Sequence, residues 1–505
     1  MLLMNDVSYF NCGALTADRR TIAVKLKITN ERGRRSMGLE TISRAVSDPT
    51  ALDAVKAGLA ALLGSRASTN VDTRRQHANI TSWGANEPPD AVAFARTTQE
   101  VAAIMTLCAA HGVPVIPYGV GTSLEGHVNA PYGGVCIDVS GMDGIIAVHQ
   151  ADLDCVIGPG VTRKALNAHL RDLGLFFPID PGADASLGGM ASTRASGTNA
   201  VRYGTMRDAV LALEVVTASG AVIRTARRAR KSAAGYDLTR LFVGAEGTLG
   251  IITELTLRLH GIPEAIAGGI CPFPSVEAAC DAVIATIQSG LPVARIELAD
   301  ALTVRAFNRH SNLGFAETPM LFLEFHGTEA GVAEQSARFG AIAADFGGGP
   351  FQWATKTEER TRLWQARHDV YWAYLGLRPG AKVVTTDICV PISRLAQCVS
   401  ETAADAREAG LIAPIVGHVG DGNFHCGLLV DEADPHEVSR ARAFLERLVR
   451  RGLSMDGTCT GEHGVGQGKM KYLAEEYADG ALDMMRAIKV ALDPLNLMNP
   501  GKIFA

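Results

Sequence analysis

The stretch Val113-Pro-Val-Ile-Pro-Tyr-Gly-Val-Gly-Thr-Ser-Leu-Glu-Gly126 decides how the first half of this chain folds. Its apolar start is typical of a strand, and the residues before it predict another strand and then a helix between Thr97 and Gly112, so we expect a β-α-β unit. Glycine at positive φ lets backbone N–H groups approach a phosphate. The residues alone also fit a plain connecting turn, because Leu124 replaces the third glycine of a dinucleotide fingerprint and no Walker lysine follows.

Composition excludes several classes of protein. A chain of 505 residues with 47% hydrophobic and 20% charged residues is typical of a soluble protein of two or three domains. A net charge of −5 and 6% aromatic residues argue against nucleic-acid binding. None of the ten cysteines forms a C-x-x-C pair, which favours a reducing compartment. No apolar run is long enough to span a bilayer, and no secretory signal is visible.

Residues 1 to 36 contain five arginines and show no clear apolar face. We expect either a disordered extension or a translation start ahead of Met37, rather than a transit peptide.

A second segment rich in glycine and hydroxyl groups runs from Pro181 to Asn199, and a third surrounds Gly244. So many small polar residues are poor material for a core. They suit a ligand with many hydrogen-bond acceptors, such as a pyrophosphate and ribityl chain, although a long surface loop is the simpler alternative. After Pro263 such loops disappear, and helical patterns alternate with strands, so we place a domain boundary there.

The segment His418-Val-Gly-Asp-Gly-Asn-Phe-His425 predicts a hairpin, because Asp-Gly lies between apolar runs. If residues 420 to 423 form the loop, His418 pairs with His425. Opposed residues share a face with Cβ atoms roughly 5 Å apart, which suits chelation of one divalent ion. The residues alone fit equally well a polar hairpin with two incidental histidines.

Taken together, the motifs resemble a known family. Residues 117–126, 181–186, 197–205 and 244–250 are similar to the FAD-binding half of the vanillyl-alcohol-oxidase-type flavoproteins. Residues 418–425, 461–464 and 499–502 resemble the C-terminal half of its FAD-linked 2-hydroxyacid dehydrogenases. The nearest group contains D-lactate dehydrogenase (cytochrome), the FAD subunit of glycolate oxidase and D-2-hydroxyglutarate dehydrogenase.

The resemblance implies an α+β fold, in which a two-part FAD-binding domain carries an α/β cap domain built on an antiparallel sheet. We expect an N-terminal extension with a helical lead-in (1–75), the FAD-binding domain (76–262), the cap domain with a metal site (263–470) and a segment that returns to the FAD domain (471–505). One departure from the family's pattern is the segment from His77 to Trp83, where relatives carry an acidic pair, so substrate preference is open to change there.

The resemblance also implies which residues bind FAD. Thr122 stands where covalently flavinylated relatives have a histidine, so non-covalent FAD is expected, although His127 lies close by. The cofactor residues implied are Tyr118, Gly119, Val120, Gly121, Thr122, Ser123, Gly126, Pro181, Gly182, Ser186, Gly189, Gly197, Gly204, Thr205, Glu246, Gly250, Ile252 and Asn499.

In the metal-bearing branch of the family, two histidines and a glutamate hold the ion, and these correspond to His418, His425 and Glu462. The ion expected is zinc or manganese. The resemblance makes His463 the catalytic base, with a supporting residue outside the reaction as the alternative.

A carboxylate substrate needs a cation, and a guanidinium can hold a carboxylate with two hydrogen bonds. Arg367 and Lys382 are the favoured cations over Arg378, and each could equally be a surface charge. Asn423 is expected either to touch the substrate or to serve only as a turn residue.

The function expected from the resemblance is FAD-dependent oxidation of a D-2-hydroxyacid, with D-lactate to pyruvate favoured. Hydride passes from C2 to the flavin, and electrons then pass to cytochrome c, a quinone or an electron-transfer flavoprotein. Glycolate and D-2-hydroxyglutarate are the alternative substrates. A metal-dependent hydrolase or a metal-binding module is the alternative from another class. The expected location is cytoplasmic or peripheral to the inner membrane, and mitochondrial in a eukaryote, with a homodimer as one assembly.

Overall fold

A computed structural model describes residues 26–31, 34–39, 48–79, 84–354, 356–477 and 480–504. The chain divides into two compact units, Met1–Ser43 and Arg44–Ala505. In the first unit, β1 (Leu26–Glu31) pairs antiparallel with β2 (Arg34–Leu39). The prediction of a disordered extension was therefore wrong for these strands, and the rest of residues 1–36 lies outside the described residues.

The first half of the second unit contains short helices and strands in alternation. The helices are α1 (Pro49–Leu63), α2 (Val71–Gln76), α3 (Thr98–His111), α4 (Arg163–Leu170), α5 (Leu187–Thr193), α6 (Ala200–Tyr203), α7 (Met206–Ala209) and α8 (Leu238–Phe242). The strands are β3 (Ala67–Ser68), β4 (Ala91–Phe94), β5 (Val115–Tyr118), β6 (Val135–Asp138), β7 (Ile145–His149), β8 (Asp154–Ile157), β9 (Leu175–Phe176), β10 (Val210–Thr217), β11 (Val222–Arg224), β12 (Gly250–Arg258) and β13 (His260–Gly261).

Two sheets form this first half. The smaller sheet has the order β3-β4-β6-β5, and its last three strands are parallel, which confirms the predicted β-α-β unit. Helix α3 begins where the Thr97 hydroxyl accepts a hydrogen bond from the Glu100 N–H (3.2 Å), and it ends at Gly112 with φ of 65°. The second sheet, β11-β10-β12-β8-β7, is antiparallel throughout.

Helix α5 lies inside the segment from Pro181 to Asn199, whose residues were expected to be poor material for a core and for which a long surface loop was the alternative to ligand binding. Leu187, Met190 and Ala191 are buried in the core of the antiparallel sheet, so that expectation about the core and the surface-loop alternative were both wrong for these residues. Gly188 permits this packing, because a Cβ atom there would lie 2.5 Å from the Cβ of Pro159. Small residues that suggest a loop in sequence can therefore mark close packing instead.

The second half contains the remaining elements. The strands are β14 (Ala265–Pro272), β15 (Val293–Ala299), β16 (Met320–Gly327), β17 (Gln352–Ala354), β18 (Lys382–Thr385), β19 (Ile388–Cys389), β20 (Ile415–Gly417) and β21 (Asn423–Val430). The helices are α9 (Val276–Gln288), α10 (Ala301–Ser311), α11 (Glu329–Asp345), α12 (Thr357–His368), α13 (Val370–Leu375), α14 (Leu395–Glu408), α15 (Pro435–Ser454), α16 (Leu473–Glu476) and α17 (Ala481–Leu492).

One antiparallel sheet organises this half, in the order β17-β14-β16-β15-β20-β21-β18, with β19 also paired to β21. Its two faces are covered by different helices. On β16, Leu321, Leu323 and Phe325 face the cluster formed with α9, α11, α14 and α15, whereas Met320 and Phe322 face α10, α12 and α13. Alternation with a period of two residues places successive side chains on opposite faces. The sheet is therefore buried on both sides.

The last residues of the chain return to the first half. The backbone of Val115 in β5 bonds to Leu497 and Asn499, and the Lys502 ammonium donates to the Asn129 carbonyl (2.8 Å). Among the described residues, no helix has the length and apolar character needed to cross a membrane.

Candidate active site

The hairpin at residues 415–430 carries the two histidines. Val416, not His418, lies opposite His425, so the predicted register was wrong by two residues. A short helical turn at Val419–Asp421 takes up more chain than a four-residue loop would. A shift of two residues keeps each side chain on its face. The two imidazole rings consequently still meet, with their centroids 5.4 Å apart.

Three donor groups converge at this point. Oε1 of Glu462 lies 3.2 Å from Nε2 of His418 and 3.3 Å from Nε2 of His425. The predicted ligand set is thus brought together by the fold, with all three donor atoms within 4.8 Å of one another. Oε2 of Glu462 is buried and has no hydrogen-bond partner among the described residues.

The other nitrogen of each ring is held by the protein. Nδ1 of His425 lies 2.9 Å from the Thr386 carbonyl, and because a carbonyl only accepts, this nitrogen carries the hydrogen. Nδ1 of His418 lies 2.7 Å from Oε1 of Glu297. Once deprotonated at Nε2, as a metal-binding imidazole is, each ring would direct a lone pair toward the Glu462 carboxylate. An electron-rich centre of this kind fits a cation, and such outer partners are the usual support of metal-bound histidines.

Electrostatics support the same conclusion. Burial would raise the pKa of Glu462, but His418 and His425 hold it well below its usual range. Burial would lower the pKa of His418, and the carboxylates of Glu297 and Glu462 instead raise it well above its usual range. The carboxylate is therefore ionised, and the cluster attracts positive charge.

His463 lies beside the cluster. Its ring stacks on that of His425 with centroids 5.1 Å apart, and its Nδ1 is buried without a hydrogen-bond partner in the described part of the chain. Burial lowers the pKa of His463 to about 4, so the imidazole is neutral at neutral pH. A neutral imidazole with a free ring nitrogen can accept a proton.

The residues predicted to bind the substrate differ in burial and in their distance from the donor cluster. Arg367 is buried, and its guanidinium pairs with Oε2 of Glu297 at 2.7 Å, so it reaches His418 through that carboxylate. The side chain of Lys382 is 40% exposed and pairs with Glu432.

Lys382 lies opposite Val430, at the far end of β21 from Asn423, so the fold does not bring it to the cluster. The Asn423 amide is buried and donates to Asp387 (2.8 Å) and to the Ile388 carbonyl (2.9 Å). Arg378 pairs with Glu437.

The first two glycine-rich loops meet in the first half of the unit. A Cβ atom on Gly119 would collide with Oγ of Ser186, and one on Gly189 would lie 3.1 Å from the same oxygen. Gly121 has φ of +70°, which glycine adopts readily. Oγ of Ser186 is buried without a partner among the described residues. A narrow cradle with an unsatisfied hydroxyl fits a ligand rich in acceptor oxygens, as the pyrophosphate of FAD is.

Other predicted cofactor residues surround this cradle or join it to the second half. Glu246, with φ of 53°, accepts from the N–H groups of Val465 (2.7 Å) and Gly466 (2.8 Å). Asn499 donates to the carbonyls of Glu246 and His127. Glu246 therefore ties the first half to the loop that carries His463.

The remaining predicted cofactor residues divide by exposure and partner. Tyr118 packs on His77, Gly126 faces Gln467 and Gly197 faces Asp180. Thr205 is the N-cap of α7 and forms its capping box with Asp208, and Gly204 precedes it. Gly250 and Ile252 are buried in β12. The other residues of the set lie nearer the surface: Thr122, Ser123 and Pro181 are partly exposed, and Val120 and Gly182 are exposed. Of the divergent segment, His77 contacts Asp138 at 3.0 Å, and residues 80–83 lie outside the described residues.

Sequence reasoning missed three residues that support the site, namely Glu297, Thr386 and Asp387. One signal was available for Glu297, which is the one carboxylate in the apolar strand Val293–Ala299. A charge in a buried strand needs a partner. No comparable signal marks Thr386 or Asp387.

A substitution in the cradle tests its role in binding FAD. Gly121→Ala introduces a side chain at φ of +70° and places its Cβ 2.9 Å from Cζ of Tyr118. Strain of roughly 1–3 kcal/mol is expected, so FAD should bind roughly tenfold or more weakly. Fluorescence titration of apoprotein measures this. Gly340→Ala, where a Cβ meets nothing within 4 Å, is the control, and equal affinity in both variants would contradict the placement of the cradle.

The fold and the site define the class of flavin-linked oxidoreductases. A model described as FAD binding domain matches residues 89–226, and one described as FAD linked oxidases, C-terminal domain, matches residues 262–503. The fold is also that of p-cresol methylhydroxylase with substrate bound, with a TM-score of 0.77, 18% identity, and coverage of 90% of this chain and 97% of that chain. 4-Ethylphenol oxidase from Gulosibacter chungangensis has a TM-score of 0.76 at 17% identity, with 90% and 98% covered.

Curated relatives place the chain more narrowly. A probable mitochondrial D-lactate dehydrogenase of Danio rerio is 54% identical, over 85% of this chain and 87% of its own length. The mitochondrial D-lactate dehydrogenase [cytochrome] of Arabidopsis thaliana is 48% identical, over 82% and 73%. Glycolate oxidase subunit GlcD of Bacillus subtilis is 34% identical, over 83% and 89%. The chain therefore belongs to the FAD-linked oxidases, in the family that contains these D-lactate dehydrogenases.

Proposed function

We propose that this protein oxidises D-lactate to pyruvate with FAD as the first electron acceptor. The observation that carries the proposal is the convergence of His418, His425 and Glu462 beside the neutral, unpaired His463. Relatives at 54% and 48% identity that are named D-lactate dehydrogenases support the choice of substrate.

The chain's own residues divide the work of the reaction. His418, His425 and Glu462 would hold a divalent cation, zinc or manganese, which when bound supplies a Lewis acid that lowers the pKa of a substrate hydroxyl. FAD, when bound, supplies the acceptor for the C2 hydride. His463 accepts the hydroxyl proton at a ring nitrogen. The stacked position of its ring on His425 keeps it next to the donor cluster.

A substrate carboxylate requires a nearby cation, and we assign this role to Arg367. Its guanidinium is buried and shares the Glu297 carboxylate with His418, which fixes its position relative to the cluster. Lys382 leaves the proposal because it pairs with Glu432 away from the cluster, and Asn423 leaves it because its amide group is already engaged by Asp387 beside His425.

Several further features belong to the same proposal. The electron acceptor is a cytochrome, in line with the names of the Arabidopsis thaliana and Saccharomyces cerevisiae relatives, and the location is mitochondrial in a eukaryote. FAD is non-covalent, which its release on acid precipitation would test.

The FAD domain spans 76–262 and the cap domain 263–470, with 471–505 returning to the FAD domain. A homodimer is the assembly to test by light scattering.

Anaerobic bleaching of the flavin tests the substrate. D-Lactate is expected to bleach the flavin faster than L-lactate, glycolate or D-2-hydroxyglutarate under the same conditions. Faster bleaching by glycolate would favour the alternative suggested by the 34% identical glycolate oxidase subunit. Purified protein without a flavin absorption band would instead favour a metal-dependent hydrolase.

A further inference from the structure

Asp387 is a fully buried carboxylate next to the site that has no role in the proposed reaction. It lies between β18 and β19, both of which pair with β21. Thr385 lies opposite Gly427 and Ile388 opposite Phe424, so the register is continuous and places Asp387 across from His425. Residues that lie opposite each other in a sheet share a face. The carboxylate therefore faces the donor cluster.

One carboxylate oxygen of Asp387 binds the loop that carries Glu462 and His463. Oδ2 accepts hydrogen bonds of 2.8 Å from the backbone N–H groups of Glu462 and His463 and from the Thr460 hydroxyl. Two successive backbone N–H groups aimed at one oxygen fix the path of the loop at both residues. Side chains at neighbouring positions point in different directions, so one can face the cation while the other faces the substrate.

The other oxygen of Asp387 holds the histidine hairpin. Oδ1 accepts a hydrogen bond of 2.8 Å from the Asn423 amide and lies 3.8 Å from Nδ1 of His425. The carboxylate thus joins the hairpin with two of the donors to the loop with the third. The nearest ends of these two segments, His425 and Gly461, are 36 positions apart in the sequence.

The buried charge of Asp387 is balanced by Lys469. The Lys469 ammonium lies 3.7 Å from Oδ2 of Asp387 and 3.3 Å from Glu125, which belongs to the first glycine-rich loop. Because Lys469 contacts both Glu125 and Asp387, it connects the flavin-binding half to the Asp387 carboxylate.

We propose that Asp387 is a positioning residue that sets the distance between the His418–His425 pair and the Glu462–His463 loop. This inference rests on the proposed metal and base roles of those four residues. It predicts that the carboxylate controls metal affinity without touching the metal or the substrate, because it fixes where the Glu462 carboxylate stands.

The test compares the Mn²⁺ affinity of the FAD-loaded full-length protein with that of a variant that lacks the Asp387 carboxylate. Asp387→Asn leaves two N–H groups and Lys469 without a charged acceptor, and Mn²⁺ should bind about 10–100-fold more weakly, as expected for loss of an outer partner of a metal site. Isothermal titration with Mn²⁺ alone, without substrate, gives the affinity, and circular dichroism verifies folding.

Glu324→Gln is the matched control. Glu324 is also a buried carboxylate of the same sheet, bonded to Trp364 (2.6 Å) and His326 (2.7 Å), and none of its polar partners among the described residues belongs to the donor cluster. Its replacement is expected to lower thermal stability but to leave Mn²⁺ affinity unchanged. Equal Mn²⁺ affinity in folded Asp387→Asn and in the unchanged protein would overturn the inference.

A second variant decides the matter if Asp387→Asn does not fold. Asp387→Glu keeps the charge next to Lys469 but moves the oxygens by one methylene, so a folded protein with weakened Mn²⁺ binding supports the inference and one with full affinity overturns it. If the unchanged protein binds no metal, or if D-lactate does not bleach its flavin, the proposed function fails instead. The two failures are thus told apart by measurements on the unchanged protein.

Discussion

Replacement of His463 by alanine is expected to lower kcat for D-lactate about 10²- to 10⁴-fold, the usual contribution of a general base. The imidazole is held next to the donor cluster by its stack on His425 and by the bond from its backbone N–H to Asp387 (2.8 Å). The variant lacks only the ring, so the backbone bond and all three donor groups remain. Rapid-reaction measurement of flavin reduction gives the rate, and bound FAD and metal should be unchanged.

His436→Ala is the matched control for this prediction. His436 is exposed on the first turn of α15, away from the donor cluster, so its loss should leave flavin reduction unchanged. Full turnover in His463→Ala with FAD and metal both bound would contradict the assignment of the base. A parallel loss of metal would instead mean that His463 supports the cation.

Replacement of Glu462 by glutamine is expected to remove the cation from the site and to lower kcat/KM for D-lactate by about 10³-fold or more. Lewis-acid stabilisation contributes several kcal/mol, and each 1.36 kcal/mol is about tenfold in rate. Glu462 is central because both Nε2 atoms approach the same oxygen, and glutamine removes the negative charge that balances a cation there. Elemental analysis of the purified protein measures the metal.

Glu446→Gln controls for loss of a carboxylate as such. The side chain of Glu446 is 42% exposed and pairs with Lys471, and ion pairs near the surface contribute little to stability. The FAD content should be normal in both variants, because the cradle at Gly119 and Ser186 belongs to the other half of the unit. Metal retained at full occupancy in Glu462→Gln would show that the two histidines bind without it, and the ligand set would then be wrong.

Much of the local structure could be predicted from the sequence. Helix α3 lies between the predicted Thr97 and Gly112, which form its N-cap and C-cap. Caps and hydrophobic periodicity act within a few residues, so they are visible without knowledge of the fold. The errors fell where packing outweighs local preference, as at α5, whose small residues are packed against Pro159.

The candidate site divides in the same way. The donor set His418, His425 and Glu462 was implied by the family resemblance, whereas the residues alone left the two histidines open between chelation and a polar hairpin. The register of their hairpin was not predicted correctly, since a turn at Val419–Asp421 can absorb two residues without changing the face of either strand. From the sequence, Lys382 and Arg367 were equally good candidates for binding the substrate carboxylate. The fold buries Arg367 beside Glu297 and leaves the side chain of Lys382 partly exposed.

By itself, the sequence determined the family, the glycine loops that suit FAD and the three groups that can hold a cation. Only the tertiary structure decided what holds those groups in place. Glu297 and His418 are 121 positions apart, and Asp387 and Glu462 are 75 apart. Contacts over such distances depend on how strands are ordered in the sheet, and no local pattern encodes that order. The donors could therefore be predicted from the sequence, whereas their supporting carboxylates required the fold.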